Sequence, residues 1–407
     1  MEFNIEIKKK SELKEEDIFS NKYCIFNKKL LKIIGFWPYQ STWVKRAMRI
    51  FIIVSICSIM VPQVIKAYQE WYVEIVNLAI IIECVSSIIV YAAILARLAM
   101  LVVQESKMRY IYEEITRDWE EINDSGERAV LQRFCNIGRK LSIFYFVYCH
   151  LTVFILTWTS ALGPMIINKI LNTTYKKSLC IYVEYFVDED KNFYYIFSHV
   201  YICAVVATFL FTTFDSTFVL IVQHTIGLLK VLKYQLNQLY KIFDWSKCSR
   251  KDDMIIHNNV KSCIKIHVKA LEFIQFIDST YDTYHCFLYS LVLSGLSIFT
   301  IDIILNKDDF FILLRLVPCL AAVIVYIFYF NWPGQKIIEI NDEIFTTIYL
   351  TNWYSFPLRT QKLMKFMFLR SADHIFIKAS IFEMSFKTCS IIMKTALSYI
   401  TVFISLL

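Results

Sequence analysis

Glycine is scarce in this chain, 7 among 407 residues, which leaves little material for a glycine-rich phosphate loop. None is present, and neither are C-x-x-C, H-E-x-x-H or G-x-S-x-G patterns, so the common nucleotide, redox, zinc-protease and serine-hydrolase chemistries lose their usual footholds. His257, His267 and His374 lie without a cysteine or carboxylate set at metal-ligand spacing, so neither a metal nor another cofactor is assigned. The 12 cysteines are scattered singly rather than paired as in a disulfide scaffold, and they read as small buried hydrophobes. Charge is thin as well, at 19% of residues, against 57% hydrophobic and 16% aromatic.

So much apolar surface, with a mean hydropathy of +0.48, exceeds what one soluble core buries, and the surplus must face lipid. The charges are bunched between long apolar runs, as in a polytopic membrane protein. About 20 apolar residues cross the hydrocarbon core as a helix. Seven stretches qualify: Ile50 to Ile65, Ile75 to Leu101, Leu141 to Ile167, Tyr194 to Val222, His285 to Leu305, Phe311 to Phe330 and Ile381 to Leu407. A tight loop at Lys307 to Asp309 separates the fifth from the sixth, and the last carries Lys387 and Lys394.

The basic residues set the orientation. The segments before the first span, between the second and third, between the fourth and fifth and between the sixth and seventh hold 33 of the 43 lysines and arginines. Those segments are therefore expected in the cytosol, with the N-terminus inside and the C-terminus outside. The N-terminal Lys8, Lys9 and Lys10, followed by acids, show no signal-peptide pattern. This orientation opposes that of a G-protein-coupled receptor. A transporter or membrane enzyme would call for paired halves or a His and carboxylate cluster within the spans, and neither is found. The net charge of +7 follows from these inner loops and gives no reason to invoke nucleic acid. The sequon at Asn172 falls in an outer loop, where glycosylation is possible, and the one at Asn123 in an inner loop.

The expected organisation is a cytosolic segment over 1–43, spans one to four over 44–222, a helical cytosolic extension over 223–283, spans five and six over 284–330, cytosolic helices over 331–380, and the last helix over 381–407. Leu228, Leu232, Leu236 and Leu239 continue the fourth span at helical spacing, and Val260 to Tyr281 leads into the fifth. Ile337 to Leu350 and Leu358 to Leu369 read as two further amphipathic helices on either side of a turn at Pro357. The fold class is thus all-α: seven membrane helices and a cytosolic helical module. Glu83, Asp215, Asp302 and Arg315 lie inside spans and ask for partners, with Asp302 and Arg315 placed to pair across the fifth and sixth.

The C-terminal 75 or so residues carry a pattern: Phe330-Asn331-Trp332-Pro333-Gly334-Gln335, then Tyr349, Asn352-Trp353-Tyr354 and Pro357, then Phe368-Leu369-Arg370-Ser371, Ile381-Phe382, and Ser398-Tyr399-Ile400-Thr401-Val402. In order and spacing it resembles the C-terminal signature of insect odorant receptors. A proline usual after the Arg-Ser is replaced by His374, and a glycine usual before the last helix by Ser380, so the entry to that helix should differ. The sister family, gustatory receptors, tends to end in Thr-Tyr and Gln-Phe, which fits less well than Ser398-Tyr399 and Ser405-Leu406. The resemblance implies a ligand-gated, non-selective cation channel of four subunits in the plasma membrane of olfactory neurons. In it this chain would be the odorant-tuning subunit beside a shared co-receptor, and the cytosolic helices would anchor the subunits together.

Two sets of residues are candidates for the mechanism. On the last helix Lys394, Ser398, Val402 and Ser405 or Leu406 recur on one face, continuing from Lys387. A lysine facing lipid is costly, a water-filled vestibule relieves that cost, and an apolar ring at Val402 and Leu406 can close a pore by dewetting. By resemblance those two match the gate and Ser405 a polar pore mouth. A small volatile ligand needs an apolar cavity with a few polar groups, and the resemblance places it among spans two, three, four and six. His150, Phe154 and Trp158 form one face of the third span. Ser87 and Tyr91 on the second, Phe209 and Thr212 on the fourth, and Leu313 and Leu316 on the sixth lie at suitable depth.

Overall fold

The computed structural model describes residues 22–73, 78–171, 177–242, 250–305, 310–379 and 382–406. The chain is almost wholly helical: α1 (Ile25–Ile33), α2 (Thr42–Trp71), α3 (Leu78–Val103), α4 (Glu105–Glu121), α5 (Ser125–Leu171), α6 (Glu189–Ile242), α7 (Arg250–Leu305), α8 (Phe310–Leu350), α9 (Leu358–Ala372) and α10 (Phe386–Leu406). A two-residue antiparallel pairing, β1 (Lys378–Ala379) with β2 (Phe382–Glu383), precedes α10. Among the described residues, α2, α3, α5, α6 and α8 are long and apolar enough to cross a membrane.

Helix α2 shows how the bilayer shapes this sequence. Ile50, Phe51, Val54, Val61 and Val64 are exposed along it, and aromatic side chains mark its ends, Trp43 on one side and Tyr68, Trp71 and Tyr72 on the other. Trp43 and Trp71 are separated by about 42 Å at 1.5 Å per residue, the thickness of a bilayer with its interfaces. Those rings sit where an aromatic belt is expected.

Helix α6 plays the opposite part. It packs against α1, α2, α3, α5, α7 and α8, and Leu210, Phe214, Phe218, Ile221, Leu229, Leu232 and Leu236 along it are buried. Its buried threonines face no water, so their hydroxyls turn back on the helix: Thr212 donates to the Thr208 carbonyl (2.8 Å), Thr213 to Phe209 (2.7 Å), Thr217 to Thr213 (2.9 Å) and Thr225 to Ile221 (2.9 Å). Each spends a donor locally that would otherwise cost free energy in an apolar interior.

The helices extend well past the apolar stretches, as the leucine spacing on α6 predicts, and ion pairs tie the extensions together. The Glu105 carboxylate accepts from Lys45 Nζ (2.6 Å) and Arg49 Nη2 (2.7 Å). Burial pushes that carboxyl up, but the two cations outweigh it and hold it below its ordinary value. Asp118, buried, accepts from His224 Nε2 (2.8 Å) and pairs with Lys269. Lys230 and Lys233 both reach Glu343 on α8, at 2.5 and 3.1 Å.

One expectation is corrected. The helix expected over Ile337 to Leu350 is not a separate element: it is the end of α8, which runs unbroken through Trp332-Pro333-Gly334 to Leu350. A proline removes only one helical N–H, and Phe330, Asn331, Pro333 and Gly334 are all buried, so packing holds the helix together where local preference would stop it. The loop at 307–309 lies outside the described residues, as do the side chains of Asp302 and Arg315.

His267 on α7 is 3% exposed. Burial, reinforced by the charge of Arg370, pushes its imidazole down to about 4 from an ordinary 6.5. The unfolded chain therefore binds a proton before the folded one does. The stability of this region is complete above about pH 6.5 and falls as pH drops toward 4, by roughly 1.4 kcal/mol per unit. Thermal melts of detergent-solubilised protein at pH 7.5 and 5.5 should show a lower Tm at the acid value, and His267→Gln should remove most of the His267 share of that difference.

Candidate functional site

The C-terminal halves of α2 and α5 and the N-terminal halves of α3 and α6 carry an aromatic and weakly polar region, beside which lies the segment 177–188. Leu179, Cys180, Ile181, Val183 and Tyr185 of that segment pack against the core. Backbone bonds seat it: Glu184 N donates to the Pro62 carbonyl (3.1 Å) and Ser178 N to the Ser160 carbonyl (3.4 Å). Phe186 beside it has φ 55°, an uncommon conformation for a bulky residue, and its N–H is held by Glu184 Oε1 (2.7 Å).

Helices α5 and α6 meet through rings, with Phe154 among them 44% exposed. His150 lies 4.0 Å from Phe146 and 4.7 Å from Phe209 between ring centres, and Phe146 meets Phe209 edge-on at 5.3 Å. Two turns further along, Trp158 stacks on Phe154 (5.4 Å) and meets Phe197 (5.4 Å) and Tyr201 (5.9 Å) edge-on. The i, i+4, i+8 face of His150, Phe154 and Trp158 therefore exists, and α6 supplies its partners.

Two polar atoms within these rings are buried and have no hydrogen-bond partner among the described residues, His150 Nε2 and Trp158 Nε1. The Phe146 carbonyl lies 2.8 Å from His150 Nδ1. A carbonyl only accepts, so in the neutral ring Nδ1 carries the proton and Nε2 is an acceptor. The face thus offers one acceptor at His150 and one donor at Trp158 in an otherwise apolar setting.

The remaining candidates divide. Ser87 Oγ accepts from Gln63 Nε2 (2.7 Å), and Tyr91 is 8% exposed on α3. Nearby, His199 joins three elements: its Nε2 lies 3.0 Å from Ser58 Oγ and its Nδ1 2.7 Å from Tyr185 OH, with Cys203 Sγ at 3.6 Å. Gln63, Ser58, Tyr185 and His199 were not legible as a group, because Tyr185 sits in a loop without periodicity and the others face across different helices. Thr212 is fully buried with its hydroxyl committed to α6, which leaves it as packing. Leu316 is buried and Leu313 half-buried on α8.

Below this region lies a charged centre. Arg97 on α3 and Asp215 on α6, 1% and 0% exposed, pair at 3.2 Å. Asp215 also accepts from Tyr145 OH (2.9 Å), and Arg97 donates to the Phe211 carbonyl (3.1 Å). The guanidinium lies over the rings of Phe211 (3.9 Å) and Tyr284 (4.7 Å). Asp215 thereby gains the partner that its place in a span demands.

On α10, Thr388, Cys389, Ile392, Ala396 and Ile400 are buried against α7 and α8, and Lys387, Lys394, Ser398, Val402 and Ser405 are exposed on the opposite face. The side chain of Leu406 lies outside the described residues. Every cysteine among the described residues is a free thiol, and no group there is arranged to hold a metal ion.

A multi-pass, all-α membrane protein with an aromatic region at one end and a closing two-faced helix is the class these features define. A family model described as 7tm Odorant receptor matches residues 74–397, and the chain belongs to that family. Odorant receptor 63a of Drosophila melanogaster is 23% identical over 202 residues, 49% of this chain and 46% of that receptor. The match thus spans about half the length of that relative. The olfactory receptor OR5 of the insect Machilis hrabei, solved in complex with eugenol, superimposes with a TM-score of 0.74 at 12% identity, covering 97% of this chain and 100% of that one. A second structure of the same receptor gives 0.71 at 13% over the same shares. At such identities the likeness is one of fold.

Proposed function

We propose that this chain is the odorant-binding subunit of a heteromeric, odorant-gated, non-selective cation channel in the plasma membrane of olfactory neurons, with the N-terminus cytosolic and the C-terminus outside. The observation that carries the channel reading is the two-faced α10. A face bearing Lys387, Lys394, Ser398, Val402 and Ser405 would be expensive against lipid, and four such faces around a shared axis give a pore that is hydrated at the lysines and narrows to an apolar ring at Val402 and Leu406. Family membership supports assembly with a co-receptor through the cytosolic helices. The basic residues of the inner loops support the orientation.

The ligand is a small volatile seated among Tyr91, His150, Phe154, Trp158 and Phe209, with Ser87, Leu313 and Leu316 at its margins. His150 Nε2 and Trp158 Nε1 favour a molecule that combines an apolar body with an oxygen function, such as an alcohol, phenol, ester or ketone.

The test is whole-cell current in cultured cells expressing this chain with and without an insect odorant-receptor co-receptor, over a broad volatile panel and with G-protein signalling blocked. A rapid cation current that needs the co-receptor and survives the block is expected, and a current abolished by the block would overturn the mechanism. In the same cells Val402→Ala with Leu406→Ala should raise ligand-free current several-fold. Channels that close as tightly as the parent would remove the gate from these residues.

A further inference from the structure

Three residues of α8, spaced i, i+3 and i+4, receive the entry to α10. Asn331 is 0% exposed, and its Oδ1 accepts from both Tyr289 OH on α7 (3.2 Å) and the backbone N–H of Ser385 (3.0 Å). Its Nδ2 donates to the Ile327 carbonyl (2.8 Å), which fixes the amide orientation. At Gly334 a Cβ would stand 2.1 Å from the Met384 carbonyl oxygen and 2.9 Å from the Met384 carbonyl carbon, so only glycine lets the chain lie directly on α8 here. Next to Gly334 on α8, Gln335 Oε1 accepts from Phe386 N–H (3.2 Å).

The amides at the start of a helix have no partner within it and are ordinarily satisfied by the helix's own N-cap residue. Ser385 does cap the Thr388 amide (3.3 Å), yet the amides of Ser385 and Phe386 are held from another helix. The approach from the other side is fixed too: Met384 N donates to the Ile377 carbonyl (2.9 Å) and Lys378 N to Asp278 Oδ1 on α7 (2.9 Å). The first turn of α10 therefore cannot tilt independently of α8. The opposite reach of α8 passes Tyr329, stacked 4.0 Å from Tyr145, which itself donates to Asp215 at the charged centre.

We propose that Asn331 and Gln335 are positioning residues for opening: by holding the Ser385 and Phe386 amides they make the angle of α10 follow that of α8. This rests on the reading of α10 as the pore helix. They touch neither ligand nor permeating ion and act through the helix they hold.

The Gln335–Phe386 link is the one to cut, because it lies at the surface and can be removed from either end. Phe386 is the first residue of α10, a position that accepts proline while losing the N–H. Phe386→Ala keeps the N–H and serves as control. With the co-receptor and at equal surface density, Gln335→Ala and Phe386→Pro should each shift the half-activating odorant concentration three- to tenfold in the same direction. The double variant should shift it no further than either single, and Phe386→Ala should stay near the parent. A merely structural role would lower surface density and leave that concentration in place. Asn331→Leu is expected to shift it more, with Tyr289→Phe, which spares the Ser385 bond, shifting it less. A conducting parent in which both single variants leave half-activation and ligand-free current unchanged overturns the proposal alone, as do shifts that add in the double variant. A parent that passes no current overturns the pore reading and this inference with it.

Discussion

Replacing Arg97 with alanine is expected to remove most of the receptor from the cell surface, through a loss of roughly 3 to 5 kcal/mol of folding stability, the range for breaking one side of a buried ion pair. The side chain pairs with Asp215, donates to the Phe211 carbonyl and lies over three aromatic rings, those of Phe211, Phe214 and Tyr284. Truncation strands a fully buried carboxylate with Tyr145 as its remaining hydrogen-bond donor. The cost comes mainly from that stranded charge, so removing both charges should do less harm than removing one. Arg97→Leu combined with Asp215→Leu is expected to recover surface density well above either single variant. Arg97→Lys keeps the charge but not the planar fork that reaches a carboxylate, a carbonyl and ring faces together, and should fall between parent and Arg97→Ala. Surface biotinylation and detergent melts read all of these. A double variant as depleted as the singles would mean that shape and stacking, rather than the uncompensated charge, hold this centre.

The need for such a centre was legible in the sequence, because an aspartate inside an apolar run demands a partner. The identity of the partner was not. Arg97 and Asp215 lie on helices that are not consecutive, and hydropathy gives each helix a depth but no rotation or neighbour. The long helices were legible because leucine spacing continues past the apolar stretch of α6, and the family signature because its pieces keep their order. The separate helix expected over Ile337 to Leu350 did not hold for a physical reason: Pro333-Gly334 locally favours a break, and the buried contact with Met384 explains the glycine without one. Dividing the helix there also concealed the surface that receives α10. Ser380, in place of the usual glycine, lies outside the described residues. The apolar run that starts at Ile381 turns helical only at Phe386, after Phe382 and Glu383 pair with β1. The grouping of Ser58, Tyr185 and His199 had no signal in the sequence, since it depends on a loop folding back over three helices.

Trp158→Ala is the variant expected to change which odorants act. The indole contributes the largest apolar face among the candidates on α5, touches Phe154, Phe197 and Tyr201, and carries the donor N–H that has no partner among the described residues. Losing it removes both the packing of a large aromatic body, worth about 2 to 3 kcal/mol, and one directional bond of about 1 kcal/mol. For ligands that accept a hydrogen bond, half-activating concentrations should therefore rise by roughly a hundred- to a thousandfold. Ligands with bulkier apolar bodies should lose less, because the space opened can be filled, and so the rank order of agonists changes. Trp158→Phe separates the two contributions, since it restores most of the packing without the N–H. It should recover apolar agonists and leave oxygen-bearing ones weakened. His150→Phe makes the matching test of the acceptor: alcohols and phenols, which can donate to Nε2, should weaken, and esters and ketones, which cannot, should not. Concentration–response curves over a panel that pairs each alcohol with its ketone decide the matter. An unchanged rank order in Trp158→Ala and in Tyr91→Ala would move the ligand away from this face altogether.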